Sequence, residues 1–238
     1  MRKDEIIPRL NPLIRMPLSK STRRYELVVF DWDGTLMDSA GLITRSIQAA
    51  ARDLGLPVPD DATASHVIGL GLTDALAMAV PQLAVADYPR MAERYRYHFL
   101  AGDTEAPLFA GTEAMLAQLA DAGHMLAIAT GKSHQGLTRA LAATGIGNFF
   151  AGTRCADQTS PKPAPDMLLE LMEELATRPE ATLMIGDTTH DLQMASNAGV
   201  RAVAITHGAH PAHALTAAGP LATVHNTAEL HQWLKQNG

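Results

Sequence analysis

The sequence predicts an α/β fold, an open sheet of parallel strands interrupted after its first strand by an all-helical insertion. Three observations predict it. From Tyr25 onward, short apolar runs alternate with segments of helical spacing, the pattern of βαβ units. The first apolar run, "LVVF" over 27–30, does not alternate with polar residues, as expected of a strand covered on both faces. From about Met37 to Glu105 the rhythm breaks, and helix follows helix with no convincing strand.

Taken in order, "ELVVF" forms the first strand, and "SAGLITRSIQAAARDLGL" carries apolar residues at helical spacing behind Ser39, a residue type suited to an N-cap. The insertion continues through the connections "PVPDD" and "IGLGLTD" to a long helix, "YPRMAERYRYHFLAG". The sheet resumes near Pro107 with the helix "TEAMLAQLADAG" and the strand "HMLAIAT". The helices "HQGLTRALAATG" and "APDMLLELMEELA" and the strands "TLMI" and "RAVAI" follow. Gly123 and Gly145 stand where helices are expected to stop. The short "GLGL" over 69–72 lacks the preceding strand and third glycine of a dinucleotide fingerprint.

The 238 residues suffice for one large domain or a domain with a sizeable insertion. A formal net charge of −6 argues against broad attraction to nucleic acid or an anionic membrane. No apolar stretch approaches the roughly 20 residues that span a bilayer. The single cysteine, Cys155, allows no intrachain disulfide and fits a reducing, cytoplasmic setting, with the thiol as a small buried group. The first 24 residues are basic and broken by prolines. They read as a loosely ordered tail, with Met16 an alternative start, and lack the continuous apolar segment of a secretory signal.

In an open parallel sheet, ligands bind at the carboxyl ends of the strands. After "LVVF" come Asp31, Asp33, Gly34 and Thr35; after "LAIA" come Thr130, Gly131, Lys132 and Ser133; after "TLMI" come Asp187 and, four residues on, Asp191. "SPKPAP" sets Lys162 at the mouth of a helix. This set reads as phosphoryl-transfer chemistry. Carboxylates and a main-chain oxygen suit Mg²⁺, one carboxylate can attack phosphorus, and a second acid can protonate the leaving alkoxide and then activate water. A hydroxyl, backbone N–H groups and a lysine can hold the remaining phosphate oxygens.

The stretches "DWDGTLMDS", "ATGKS", "SPKPAP" and "GDTTHD", in this order, resemble the four motifs of the haloacid dehalogenase-like hydrolase superfamily, and the helical insertion resembles its phosphoglycolate phosphatase-like branch. The resemblance implies a Rossmann-like core over 25–36 and 106–238 with a helical cap over 37–105. It makes Asp31 the nucleophile and a Mg²⁺ ligand, and Asp33 the general acid/base, with its carbonyl also on the metal. Thr130 and Lys162 bind phosphate, alongside Gly34 and Gly131, and Lys162 steadies Asp31. Asp187 is the third metal ligand, and Asp191 holds metal water or Lys162.

Asp33 favours a phosphatase or phosphomutase over a dehalogenase, which has no alkoxide to protonate. Trp32 stands where Phe, Leu or Met is common and is expected to leave the chemistry unchanged. Lys132 reads as structural or solvated, because Lys162 already fills the lysine role. His190 is a candidate substrate contact at the mouth of the site, His98 a cap-helix residue, and Gly69, Leu70 and Gly71 a candidate specificity loop. The expected activity is Mg²⁺-dependent hydrolysis of a small phosphorylated metabolite by a monomer or homodimer. A sugar phosphomutase and a non-catalytic phospho-accepting relative are the alternatives.

Overall fold

A computed structural model describes residues 24–102 and 106–238. The expected tail over 1–24 therefore lies, apart from Arg24, outside the described residues, as does the question of Met16. Six parallel strands form one sheet in the order β3-β2-β1-β4-β5-β6. They are β1 (Leu27–Phe30), β2 (Met125–Thr130), β3 (Phe150–Cys155), β4 (Thr182–Gly186), β5 (Arg201–Ile205) and β6 (Ala222–Val224). The strand order reverses at β1, which pairs with β2 on one side and β4 on the other.

Both faces of the sheet are covered, so β1 is apolar at every position and β2 and β4 are apolar through their middles. Val28, Phe30, Leu126, Ile128, Leu183 and Ile185 enter one core cluster. The alternate residues Leu27, Val29, Ala127, Ala129 and Met184 enter the other. On that second face the buried residues of β2 and β5 are all alanine, Ala127, Ala129, Ala202 and Ala204, with Met125 packed at the margin. The space is filled by Met167 and Met172 from α7 (Asp166–Glu174) and Met194 from α8 (Thr189–Asn197), unbranched side chains suited to irregular gaps. Further helices flank the sheet as α5 (Thr112–Asp121), α6 (His134–Thr144), α9 (Ala212–Ala217) and α10 (Thr227–Asn237). Gly123 and Gly145 follow α5 and α6 with positive φ, the backbone that ends a helix at little cost to glycine.

Two strands escaped the sequence reading. β3, "FAGTRC", is an edge strand exposed along much of its length and interrupted by glycine and arginine, and β6 has only three residues. Edge strands need not be apolar throughout, which removes the signal that marked the inner four.

Between β1 and α5 lie α1 (Ala40–Asp53), α2 (Asp61–His66), α3 (Leu72–Ala79) and α4 (Tyr88–Gly102). They enclose a core of their own around Ile43, Ile47, Leu76, Met91 and Phe99. The chain enters and leaves this helical unit side by side. Asp38 N–H donates to the Pro107 carbonyl (2.9 Å), and Phe109 N–H to that of Leu36 (3.0 Å).

Met184 is fully buried in the alanine-faced half of the core. Met184→Ala is expected to cost about 2–5 kcal/mol, read as a lower urea midpoint with the slope unchanged.

Candidate active site

The site grows from the end of β1. Asp31 N–H still pairs with the Ile185 carbonyl of β4 (2.9 Å), so the strand register fixes its backbone. Trp32 turns into the core, where its indole N–H donates to Met37 Sδ (3.2 Å), and the N–H groups of Leu36 and Met37 converge on its carbonyl. The chain reverses at Gly34, with φ +82°; a Cβ there would stand 2.2 Å from Asp187 Oδ2, so glycine is required twice over. Thr35 donates its hydroxyl to Asp187 Oδ1 (2.7 Å), and Ala209 N–H donates to Asp187 Oδ2 (2.7 Å).

Lys162 is fully buried, its Nζ 2.5 Å from Asp31 Oδ1 and 2.6 Å from Asp191 Oδ1. The other oxygen of Asp191 closes the N-terminal turn of α8: it accepts from Thr188 N–H (3.0 Å) and Thr188 Oγ1 (2.7 Å) as half of a capping box. Asp31 Oδ2 is buried and has no hydrogen-bond partner among the described residues. Asp31, Asp187 and Asp191 each bring a carboxylate oxygen within 4.8 Å of the others.

Three buried acids against one lysine leave an excess of negative charge. Burial raises the Asp31 carboxyl well above its usual range against the pull of Lys162, with Asp191 and Asp187 adding to the rise. Burial and then Asp191 push Asp187 up to about 7, although the Ala209 N–H and Thr35 hydroxyl favour its ionised form. Burial alone would lower Lys162, but Asp191 and Asp31 raise it, so the ammonium persists. An unpartnered carboxylate oxygen within this uncompensated, all-oxygen cluster fits a hard divalent cation.

Asp33 stands apart from this cluster. Its Oδ1 accepts from Ser39 Oγ (2.6 Å) and Lys132 Nζ (2.8 Å), and its Oδ2 from Lys132 Nζ (3.0 Å). One sequence expectation is narrowed here and one corrected. Lys132 is structural rather than solvated: it forms an ion pair with Asp33 that is one-tenth exposed on each side. Ser39 precedes α1 without capping it through its side chain, because its hydroxyl is engaged by Asp33 and the Met37 carbonyl. The sequence signal for both was present, a lysine in the second motif and a serine closing the first, but neither motif reveals that they meet on one carboxylate.

Thr130 ends β2 fully buried, and its hydroxyl accepts from Lys132 N–H (3.2 Å). Gly131 lies beneath the helical unit: a Cβ there would stand 2.5 Å from the Leu70 carbonyl and 2.6 Å from that of Gly69. The same loop packs Gly69 against Thr188 and Gly71 against Pro161, so it touches three of the four motif segments.

The sequence also offered His190 as a candidate contact at the mouth of the site. It does not line the cavity in front of Asp31 and Asp33; its Nε2 meets the His66 carbonyl (2.8 Å). His66, His190 and His210 cluster where α2 meets the sheet domain. Thr189 N–H donates to His210 Nδ1 (3.0 Å), which leaves His210 Nε2 to donate to the His66 carbonyl (3.0 Å). Burial lowers His190 and brings His210 to about 4. The three imidazoles thus form a hydrogen-bonded seam. His98 pairs with Asp53 (2.7 Å) between α4 and α1, within the helical unit as expected. Cys155 is buried, and burial pushes its thiol up to about 12.

The family model for haloacid dehalogenase-like hydrolases matches residues 28–205. The chain belongs to this family. Among curated proteins, the probable phosphatase IndB of Dickeya dadantii is 36% identical over 210 residues, 86% of this chain and 91% of that one. The phosphoglycolate phosphatase of Vibrio cholerae is 30% identical over 77% of this chain and 85% of its own length. The tyrosine-protein kinase PtkA of Mycobacterium tuberculosis is 33% identical over 77% of this chain, which spans 62% of that protein. The crystal structure of a predicted phosphatase from Clostridium acetobutylicum superposes with a TM-score of 0.79 at 26% identity, covering 89% of this chain and 99% of that one. The protein is an enzyme of the phosphatase kind, in the phosphoglycolate phosphatase-like branch of its family. No described helix is long and apolar enough to cross a membrane.

The raised Asp187 carboxyl makes stability depend on pH. Its folded value of about 7 lies above the ordinary value near 3.9. The metal-free fold therefore holds a proton that the unfolded chain releases. This contribution is full below about pH 4 and is lost as pH rises through about 7. In chelator, the melting temperature is expected to fall between about pH 5 and pH 8. Added Mg²⁺ should offset that fall, and Asp187→Asn should flatten it.

Proposed function

We propose that the enzyme is a Mg²⁺-dependent phosphatase that hydrolyses a small-molecule phosphomonoester through a phosphoryl group carried on Asp31. The observation that carries this reading is the division of Asp31: Lys162 holds Oδ1, and Oδ2 is left buried and unpartnered at the carboxyl end of the central strand. The relatives named as phosphatases support the same reading. The metal would be held by Asp31, Asp187 and the Asp33 carbonyl. It would neutralise phosphate charge and the excess of buried carboxylate.

In the first step Asp31 Oδ2 bonds to phosphorus as the ester P–O bond breaks, and the leaving oxygen takes a proton from Asp33. In the second, water bonds to phosphorus and yields its proton to Asp33, the Asp31–phosphorus bond breaks, and inorganic phosphate departs. Thr130, the N–H groups around Gly34 and Gly131, and Lys162 hold the phosphate oxygens that do not react. Lys162, itself fixed by Asp191, keeps the Asp31 carboxylate oriented for attack. Lys132 and Ser39 position the Asp33 carboxyl.

The helical segment 37–105 acts as a cap over the core of 25–36 and 106–238, and its Gly69–Gly71 loop closes on the motifs. The substrate is a small phosphorylated metabolite, and the free, buried Cys155 suits a reducing cytoplasm.

The test is release of inorganic phosphate from a panel of phosphate esters with Mg²⁺ and with chelator. Release should need Mg²⁺ and fall at least about 10⁴-fold in Asp31→Asn; undiminished release in that variant would refute Asp31 as the nucleophile. A mutase would instead return the phosphoryl group to a sugar phosphate without net release. Asp33→Asn should slow alkyl phosphates by about 10²–10⁴-fold. The same variant should slow p-nitrophenyl phosphate far less in its first step, because that leaving group needs no proton, and a pre-steady-state burst of p-nitrophenol reads this directly.

A further inference from the structure

We infer that the alcohol part of the substrate is a bulky apolar or aromatic group rather than a two-carbon acid. The inference rests on the phosphatase reading above and narrows it. A cavity of about 810 Å³ lies between the helical unit and the sheet domain and opens on Asp31 and Asp33. Cavities of this size enclose drug-sized ligands. A phosphate seated on the motifs would occupy only its floor, so the remaining volume belongs to the alcohol.

The wall facing that alcohol is largely apolar, with Thr73, Asp74 and Gln135 as polar members. Ile43 and Ile47 come from α1, Leu76 from α3, and Tyr88, Tyr95 and Phe99 from α4. Tyr95 and Phe99 stack with ring centroids 5.9 Å apart, presenting aromatic surface to a planar group. A glycolate carboxylate would need a cation beside the phosphate. Lys132, the lysine of the floor, is already engaged with Asp33 and lies 4.6 Å from the centre of the Phe99 ring. Arg96 and Arg139 also line the cavity and are compatible with a polar substituent on a large group.

The measurement is kcat/KM of the full chain with Mg²⁺ on primary-alcohol esters of graded size: 2-phosphoglycolate, propyl, hexyl and 2-phenylethyl phosphate. Each methylene accommodated by an apolar pocket is worth about tenfold or more, so 2-phenylethyl phosphate should exceed 2-phosphoglycolate at least about 100-fold. Ala92 lines the same cavity from α4, and Ala92→Phe should lower that ratio at least about tenfold. Ala92→Leu should lower it in the same direction and serves if the larger side chain prevents folding. Equal or better turnover of 2-phosphoglycolate by the native chain would overturn the inference while leaving the phosphatase reading in place. An unchanged ratio in folded cavity-filling variants would overturn the placement of the alcohol in this cavity. No release from any ester would overturn the phosphatase reading, and this inference with it.

Discussion

The buried ammonium of Lys162 is the interaction on which the rest of the site depends. A charge in the protein interior persists only where partners replace its lost water, and Lys162 has two, Asp31 and Asp191. Each partner sits on a different part of the fold. Asp31 is held in register at the end of β1, and Asp191 is locked into the first turn of α8 by the capping box with Thr188. Lys162 thereby ties the segment before α7 to the central strand and to the helix after β4. The pairing is unequal, however: with Asp187 beside them, three acids face one lysine. The same burial that makes Lys162 indispensable leaves the cluster short of positive charge, and this shortage is the property that a divalent cation answers.

A second, more exposed pairing links the acids to the helical unit. Asp33 is held by Ser39, at the entrance to α1, and by Lys132, whose ammonium lies over the Phe99 ring of α4. Asp33 therefore touches the helical unit through two short paths, whereas Asp31 is anchored wholly within the sheet domain. The paired strands of chain at Asp38–Pro107 and Leu36–Phe109 are a narrow connection. A movement of the helical unit about that connection would displace the neighbours of Asp33 while leaving those of Asp31 unmoved. Of the two acids, the one proposed to exchange protons is the one whose surroundings depend on the helical unit.

Much of this was legible in the sequence because parallel α/β folds write their sites at strand ends. The four apolar runs that became β1, β2, β4 and β5 are unbroken because both faces are covered, and Asp31, Thr130 and Asp187 follow from where those runs stop. Lys162 was legible only through its motif, since nothing local in "SPKPAP" says that the ammonium travels into the core. The edge strands β3 and β6 were lost because half-exposed strands have no need of an apolar run. The particular roles of Lys132, Ser39 and His190 were not legible, for related reasons. Each role is set by a contact across the join between the helical unit and the sheet domain, or by a hydroxyl that prefers a carboxylate to a helix end, and such choices are tertiary. A lysine near a site already supplied with one reads as surplus until Asp33 is seen to need it.

The seam of His66, His190 and His210 shows the same distinction between chemistry and closure. Three imidazoles this close suggest a metal centre by residue type alone. Hydrogen bonds place two of the rings: the main-chain carbonyl of His66 receives Nε2 of His190 and His210, and Thr189 fixes the remaining nitrogen of His210, while the His66 ring stacks on that of His210. The seam joins α2 to the start of α8, on the side where Gly69 meets Thr188, while Lys132 and Phe99 join α4 to the second motif. Contacts on both sides hold the apolar wall at a fixed height above Asp31 and Asp33. The sheet sets Asp31, and the contacts with the helical unit set both the neighbours of Asp33 and the space above the two acids.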